Sequence, residues 1–151
     1  MHDRRVLDDL LVETFNTILK VEEQALKVDG LQELSINEVH ILEAIYGTDG
    51  IPMSELAERH RVTVASMTTA IDKLVRKGFA RRDSDPRDRR VVLIRLEKSG
   101  HIAVIAHRRF HNELINEAVA GLDQEEERVL ISALGNVRDF FIRKAKNEEA
   151  E

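Results

Sequence analysis

The residues best equipped for recognition chemistry lie between positions 63 and 90. Thr63, Ser66, Thr68 and Thr69 set hydroxyls along one short segment, with the methyl group of Ala65 among them. Hydroxyls donate or accept at base edges in a DNA major groove, and a small methyl packs against that of thymine. Lys73 and Arg76 follow on the same helical stripe as Ser66 and Thr69, and their cations suit phosphate better than base edges. Further on, Arg87, Arg89 and Arg90 crowd around Asp88 in the run Asp-Pro-Arg-Asp-Arg-Arg. A planar guanidinium enters a narrow minor groove, where the potential is most negative. Asp88 would repel DNA if left unpaired, so it is expected to support the tip by holding an arginine, Arg90, in position. A second group of candidates is His107 and His111, spaced i, i+4 on one helix face, which is a chelating spacing. His40 and Glu22 stand near other helix positions that could join them.

These side chains need elements to carry them. Leu56 and Ala57 mark a short helix over about residues 53–60, and residues 61–63 make a tight turn. Thr63 is a plausible N-cap for a longer helix over about 64–77, whose core stripe is Met67, Ile71, Leu74 and Val75. Strands over 79–83 and 91–96 then flank a long tip, since Asp-Pro is turn chemistry and Val-Val-Leu-Ile-Arg-Leu is strongly β-branched. Short helix, turn, longer helix and basic hairpin together form a winged helix-turn-helix, in which one helix enters a major groove and the wing reaches the neighbouring minor groove.

Long helices flank this module. The first is expected over 4–28, with Leu7, Leu11, Phe15, Ile18 and Leu26 as its apolar stripe and Val28-Asp29-Gly30 as its end. The second starts at a capping box, Ser35 and Glu38, with Ile36, Val39, Leu42 and Ile45 facing inward. A fifth helix over about 98–120 carries Ile102, Ile105, Phe110, Leu114 and Val119. A sixth follows Asp123 and Glu126, with Leu130, Leu134, Val137 and Phe141 in register and an acidic, frayed tail. The expected fold is therefore mainly α with a small β-wing (α+β). It forms a single domain over 1–151, with residues 35–97 as the reading module and 1–34 and 98–151 as dimerisation helices. Amphipathic helices this long cannot all bury their stripes on one small core, and a copy of the same chain is the natural cover.

Composition narrows the function classes. With no cysteine, the chain has no disulfides, thiolate metal sites or thiol redox sensing. No run of about 18 apolar residues exists to span a membrane, and the charged N-terminus lacks a secretion signal, so a cytoplasmic protein is expected. The net charge of −5 is unevenly placed: −6 over residues 1–46, +6 over 47–110 and −5 over 111–151. Positive charge is confined to the reading module, and screening over roughly 10 Å lets a local basic face bind phosphate despite acidic flanks. No Gly-rich phosphate loop, nucleophile elbow or paired carboxylates point to catalysis, so no enzyme is expected.

The segments Ser-Glu-Leu-Ala-Glu-Arg-His-Arg-Val-Thr-Val-Ala-Ser-Met-Thr-Thr-Ala-Ile-Asp-Lys-Leu-Val-Arg-Lys-Gly-Phe and Asp-Pro-Arg-Asp-Arg-Arg-Val-Val-Leu-Ile-Arg-Leu-Glu-Lys-Ser-Gly resemble the MarR family of winged-helix transcription regulators, and the likeness covers nearly the whole chain. Within that family the chain is similar to repressors of bacterial fatty-acid synthesis, on Phe-Asn-Thr-Ile-Leu-Lys-Val-Glu-Glu, Ser-Ile-Asn-Glu-Val-His and His-Arg-Arg-Phe-His. The resemblance implies an obligate homodimer that represses through a palindromic operator in double-stranded DNA, with acyl-acyl carrier protein or a fatty-acyl ligand as co-repressor. Three positions depart from the pattern: Pro52 stands where a Ser or Thr cap is usual, Glu97 replaces a Thr, and residues 61–63 lack a Gly. Zinc-sensing members use a Glu and three His at places resembling Glu22, His40, His107 and His111. A second metal site of those members has no counterpart at Val28, Val39 and Ala106. The four residues therefore read either as a zinc site, with no cofactor otherwise required, or as a polar network, or as solvated side chains. Two rival functions follow: a zinc-responsive regulator, and a winged-helix module that binds protein instead of DNA.

Overall fold

The computed structural model describes residues 2–28 and 30–148. Asp29, expected in the turn after the first helix, and residues 149–151 of the expected frayed tail lie outside them. The elements in chain order are α1 (His2–Val28), α2 (Ile36–Ile45), β1 (Ile51–Pro52), α3 (Met53–Arg59), α4 (Val64–Arg76), β2 (Ala80–Ser84), β3 (Val92–Leu96), α5 (Lys98–Val119) and α6 (Gln124–Glu148). The chain is mainly helical with one small antiparallel sheet, ordered β1-β3-β2. It divides into two compact units, one ending at His111 and one starting at Asn112, within α5. No helix among the described residues is long and apolar enough to cross a membrane.

The first unit holds the core. Leu42, Leu56, Met67, Ile71, Leu74, Ile94 and Val104 are buried together, with Leu26, Leu34 and Val39 packed alongside. The expected stripe of α4 holds at Met67, Ile71 and Leu74, whereas Val75 is only half-buried. Hairpin pairing runs from Ala80 opposite Leu96 to Ser84 opposite Val92. The strands thus begin one residue later than expected. Phe79 continues the helix end, its amide donating to the Leu74 carbonyl after left-handed Gly78. β1 escapes the sequence pattern: two residues are too few to alternate, and Pro52 sits opposite Leu93 on an edge, where a missing amide is tolerated.

Helix ends follow local chemistry. Ser35 and Glu38 form a reciprocal capping box, and Asp123 and Glu126 exchange the same pair of bonds before α6. Thr63 caps α4 by accepting from the Ser66 amide at 3.1 Å. Pro52 supplies no side-chain cap to α3, while the Glu97 carbonyl opens α5 by accepting from the His101 amide.

The long helices leave most of their apolar stripes uncovered. In α5 the residues that face the core are Gly100, Ala103, Val104 and His107. Ile102 and Ile105 are exposed, at 53% and 55%. In α1 only Leu26 of the expected stripe is buried, and Leu7, Leu11 and Phe15 are exposed. In the second unit Leu134 and Phe141 are exposed and Leu130 and Val137 half-buried. Within the first unit, Leu26 is the large stripe residue that joins the core, whereas Leu7, Leu11, Phe15, Ile102 and Ile105 stay outside it.

Candidate nucleic-acid interface

α4 presents its polar face outward. Thr63, Ala65, Ser66, Thr69, Lys73 and Arg76 are exposed, and Thr68 is half-buried. The Thr68 and Thr69 hydroxyls donate to the Val64 and Ala65 carbonyls at 2.8 and 3.2 Å, and Thr63 donates to Ser66 Oγ at 2.9 Å. Each donated proton fixes a rotamer, and the oxygens of Thr68 and Thr69 keep lone pairs that can accept a further hydrogen bond. Among the described residues, the Arg76 side chain donates to the Asp72 carbonyl alone, at 3.4 Å. Lys73 and Arg76 are otherwise available to phosphates.

The wing is tied to this helix. Arg82 on β2 donates to Asp72 Oδ1 on α4 at 2.7 Å, an ion pair that links the two reading elements. At the tip, Asp85 accepts from the Arg87 amide at 2.8 Å, and the Val91 amide donates to the Asp88 carbonyl. Asp88 holds Arg90 with both carboxylate oxygens. The guanidinium and then the amide of Arg90 keep the Asp88 carboxyl below its ordinary range, and Asp88 in turn raises Arg90. Arg87 and Arg89 are exposed, and neither side chain forms an ion pair among the described residues.

The turn before α4 is built without glycine. Arg61 takes φ = 55°, the only described non-glycine residue with positive φ. Sequence pattern could not show this, because an arginine there signals nothing about backbone.

A second cluster lies where α1, α2 and α5 meet within the first unit. Glu22 and His107 are each 4% exposed. Glu22 Oε1 lies 2.8 Å from His111 Nε2 and 3.4 Å from His107 Nε2, and the two imidazole Nε2 atoms are 3.2 Å apart. Ligand atoms of a tetrahedral zinc at about 2.0–2.1 Å stand roughly 3.3 Å from one another, so this trio fits such an ion. His107 Nδ1 meets Glu43 Oε1 at 3.1 Å. A proton there leaves Nε2 its lone pair and fixes the ring, as a carboxylate does behind a metal-bound histidine. His40 joins a different trio, with Glu43 and His107. Glu43 was missed in the sequence; its place one turn beyond His40 on α2 was the available signal.

Comparison with known proteins agrees with this geometry. Residues 34–92 match the model of the MarR family. The chain is 30% identical over 131 residues to an HTH-type transcriptional regulator of Mycobacterium tuberculosis, spanning 87% of this chain and 89% of that one. It is 26% identical to the HTH-type regulator YdgJ of Bacillus subtilis over 75% of this chain and 69% of that one. Among solved structures, Streptococcus pneumoniae FabT in complex with DNA superposes with a TM-score of 0.82 at 29% identity, covering 93% of this chain and 98% of that one. Staphylococcus aureus MepR in complex with DNA shares the fold, with a TM-score of 0.69 at 21% identity and coverage of 87% and 94%. Members of such a family regulate transcription and are not enzymes. With its winged reading module and its relatives matched along most of their length, this chain belongs to the MarR family of transcription regulators.

Proposed function

We propose that the protein is a dimeric, sequence-specific DNA-binding repressor. Its α4 helices enter successive major grooves and its wing tips the flanking minor grooves. The observation that carries this reading is the pairing of an outward hydroxyl-and-cation face on α4 with an exposed Arg89 on an Asp88-braced tip. FabT, similar in fold and sequence, is solved on DNA, which supports the same docking here. Exposed Leu7, Leu10, Leu11, Phe15 and Leu19 on α1 favour a homodimer, because monomers rarely leave a row of large apolar side chains in water. Two-fold symmetry then asks for a palindromic operator with half-sites about 10 base pairs apart. Selection of binding duplexes from a random pool tests this; a pool with no enriched palindrome would remove the reading.

The similarity to FabT supports acyl-acyl carrier protein as co-repressor and fatty-acid synthesis as the controlled process. Gel shifts on the selected duplex with acyl-loaded and unloaded carrier protein decide it; equal shifts count against the acyl group.

A zinc-responsive regulator is the second reading, favoured by donor atoms of Glu22, His107 and His111 that all lie within 4.8 Å of one another. Bound there, zinc would supply a positive charge that neutralises buried Glu22 and cross-links α1 to α5. Dialysis against a chelator, metal analysis and DNA binding with added zinc test it. No metal uptake and no change in binding would eliminate it.

A further inference from the structure

One basic residue at the end of the reading helix is engaged within the protein. Lys77 is the C-cap of α4, its amide donating to the Lys73 carbonyl. Its ammonium donates to the Glu33 carbonyl and to Glu38 Oε1 and Oε2, the latter two at 2.9 and 2.8 Å. Three partners match the three protons of an ammonium. Glu38 is 8% exposed and also accepts from the Ser35 amide at 2.8 Å, while its own amide donates to Ser35 Oγ. The Lys77 ammonium is thus built into the N-cap of α2. The link that precedes this cap is itself pinned: Leu31 and Leu34 are buried, and the Leu31 amide donates to the Leu26 carbonyl of α1. One side chain therefore joins the end of α4, the start of α2 and the link leaving α1.

We infer that Lys77 is a positioning residue for sequence reading: through Glu38 and the Glu33 carbonyl it sets the pose of α4 against the α1–α2 link. This inference rests on the proposed DNA-binding function. Exposed ion pairs carry little because water competes for both partners; here the carboxylate is mostly buried and bonded on both oxygens. With its protons taken, Lys77 neutralises no phosphate, unlike Lys73 and Arg76. Its contribution is angular, and it falls on specific binding only, because loose phosphate binding tolerates a tilted helix. It also gives a change at the end of α1 a direct path to α4.

The test uses the full-length protein and two probes: the duplex it selects from a random pool, and poly(dI-dC). Lys77→Met is expected to weaken binding to the selected duplex about three- to thirtyfold, with affinity for poly(dI-dC) and the salt slope on both probes unchanged. Lys77→Arg, which can still fork onto Glu38, should recover most of the loss. Unchanged affinity for the selected duplex overturns the inference. So does an equal loss on both probes with a salt slope smaller by about 0.9, the mark of a direct phosphate contact. Should Lys77→Met not fold, Glu38→Gln is read on the same probes by the same criteria. A wild-type protein that selects no sequence overturns the proposed function instead.

Discussion

Asp88 grips Arg90 by three hydrogen bonds, from Nε at 3.0 Å, Nη2 at 3.1 Å and the backbone amide at 3.1 Å. The acidic residue at the tip is thereby satisfied within the wing, and Arg89 beside it is left for an external anion. An isolated carboxylate next to DNA would repel it; this one organises the loop that presents a cation.

Arg89→Ala should therefore weaken DNA binding and reduce the slope of log affinity against log salt by about 0.9 if the guanidinium displaces one counterion. Asp88→Asn should also weaken binding although it removes a negative charge, because Arg90 and the loop lose their brace. Fluorescence anisotropy across a salt series measures both. Unchanged affinity in Arg89→Ala would favour the protein-interaction module.

Arg61 holds a left-handed backbone that costs an L-residue roughly 1–2 kcal/mol. Replacing it with glycine relieves that strain but adds about 0.4–1 kcal/mol of unfolded-state entropy. Arg61→Gly should thus leave stability equal or raise it by up to about 1.6 kcal/mol, whereas β-branched Arg61→Val should lower it. Urea unfolding of the three proteins decides the order.

Gly100 reverses the usual helix rule. Glycine to alanine inside a helix normally stabilises by roughly 0.5–1 kcal/mol. A Cβ at Gly100, however, would collide with the Phe79 carbonyl oxygen, where α5 crosses the start of β2. Backbone cannot step aside as a flexible side chain can. Gly100→Ala is expected to cost about 1–3 kcal/mol, read as a lowered urea midpoint, and a stabilised variant would refute the close crossing.

Stability should fall with acid in two stages. Burial, and then the charge of His40, hold the His60 imidazole below its ordinary 6.5. Between that value and the lower native one, the unfolded chain binds more protons, so stability rises with pH there and is lost as pH drops below about 6.5. Burial alone would raise the Glu38 carboxyl, but Lys77 and Ser35 outweigh it and hold it below 4.5. Its contribution is full above that value and disappears as pH falls through the native one. Urea midpoints against pH should lose the upper stage in His60→Gln and the lower stage in Glu38→Gln; unaltered profiles would contradict both assignments.

Local chemistry made much of this molecule readable in one dimension. The capping boxes at Ser35 and Asp123, the Thr63 cap, the left-handed Gly30 and the Asp-Pro tip act within a few residues, so residue type and spacing suffice to place them. The Asp88–Arg90 pair was legible for the same reason, since its partners are two residues apart. The short strand β1 gave no period to read, and it exists only because β3 offers Ile51 an edge.

The rest was settled by contacts between residues far apart in the chain. An apolar stripe reveals that a helix has a face but not which surface covers it: Ile102 and Ile105 mark the stripe of α5, yet Ala103 and Val104 are the residues that meet the core. The histidine and glutamate residues announced a cluster, yet only packing of α1 and α2 on α5 brought Glu22 to His107 and His111 and set Glu43 behind His107. Lys77 was one cation among many in sequence. Its partner Glu38 lies 39 residues away, and neither charge carries a mark of the other until the helices pack. Sequence alone determined the helices, their caps, the wing and a basic reading face; tertiary structure decided which faces are buried and which charges meet.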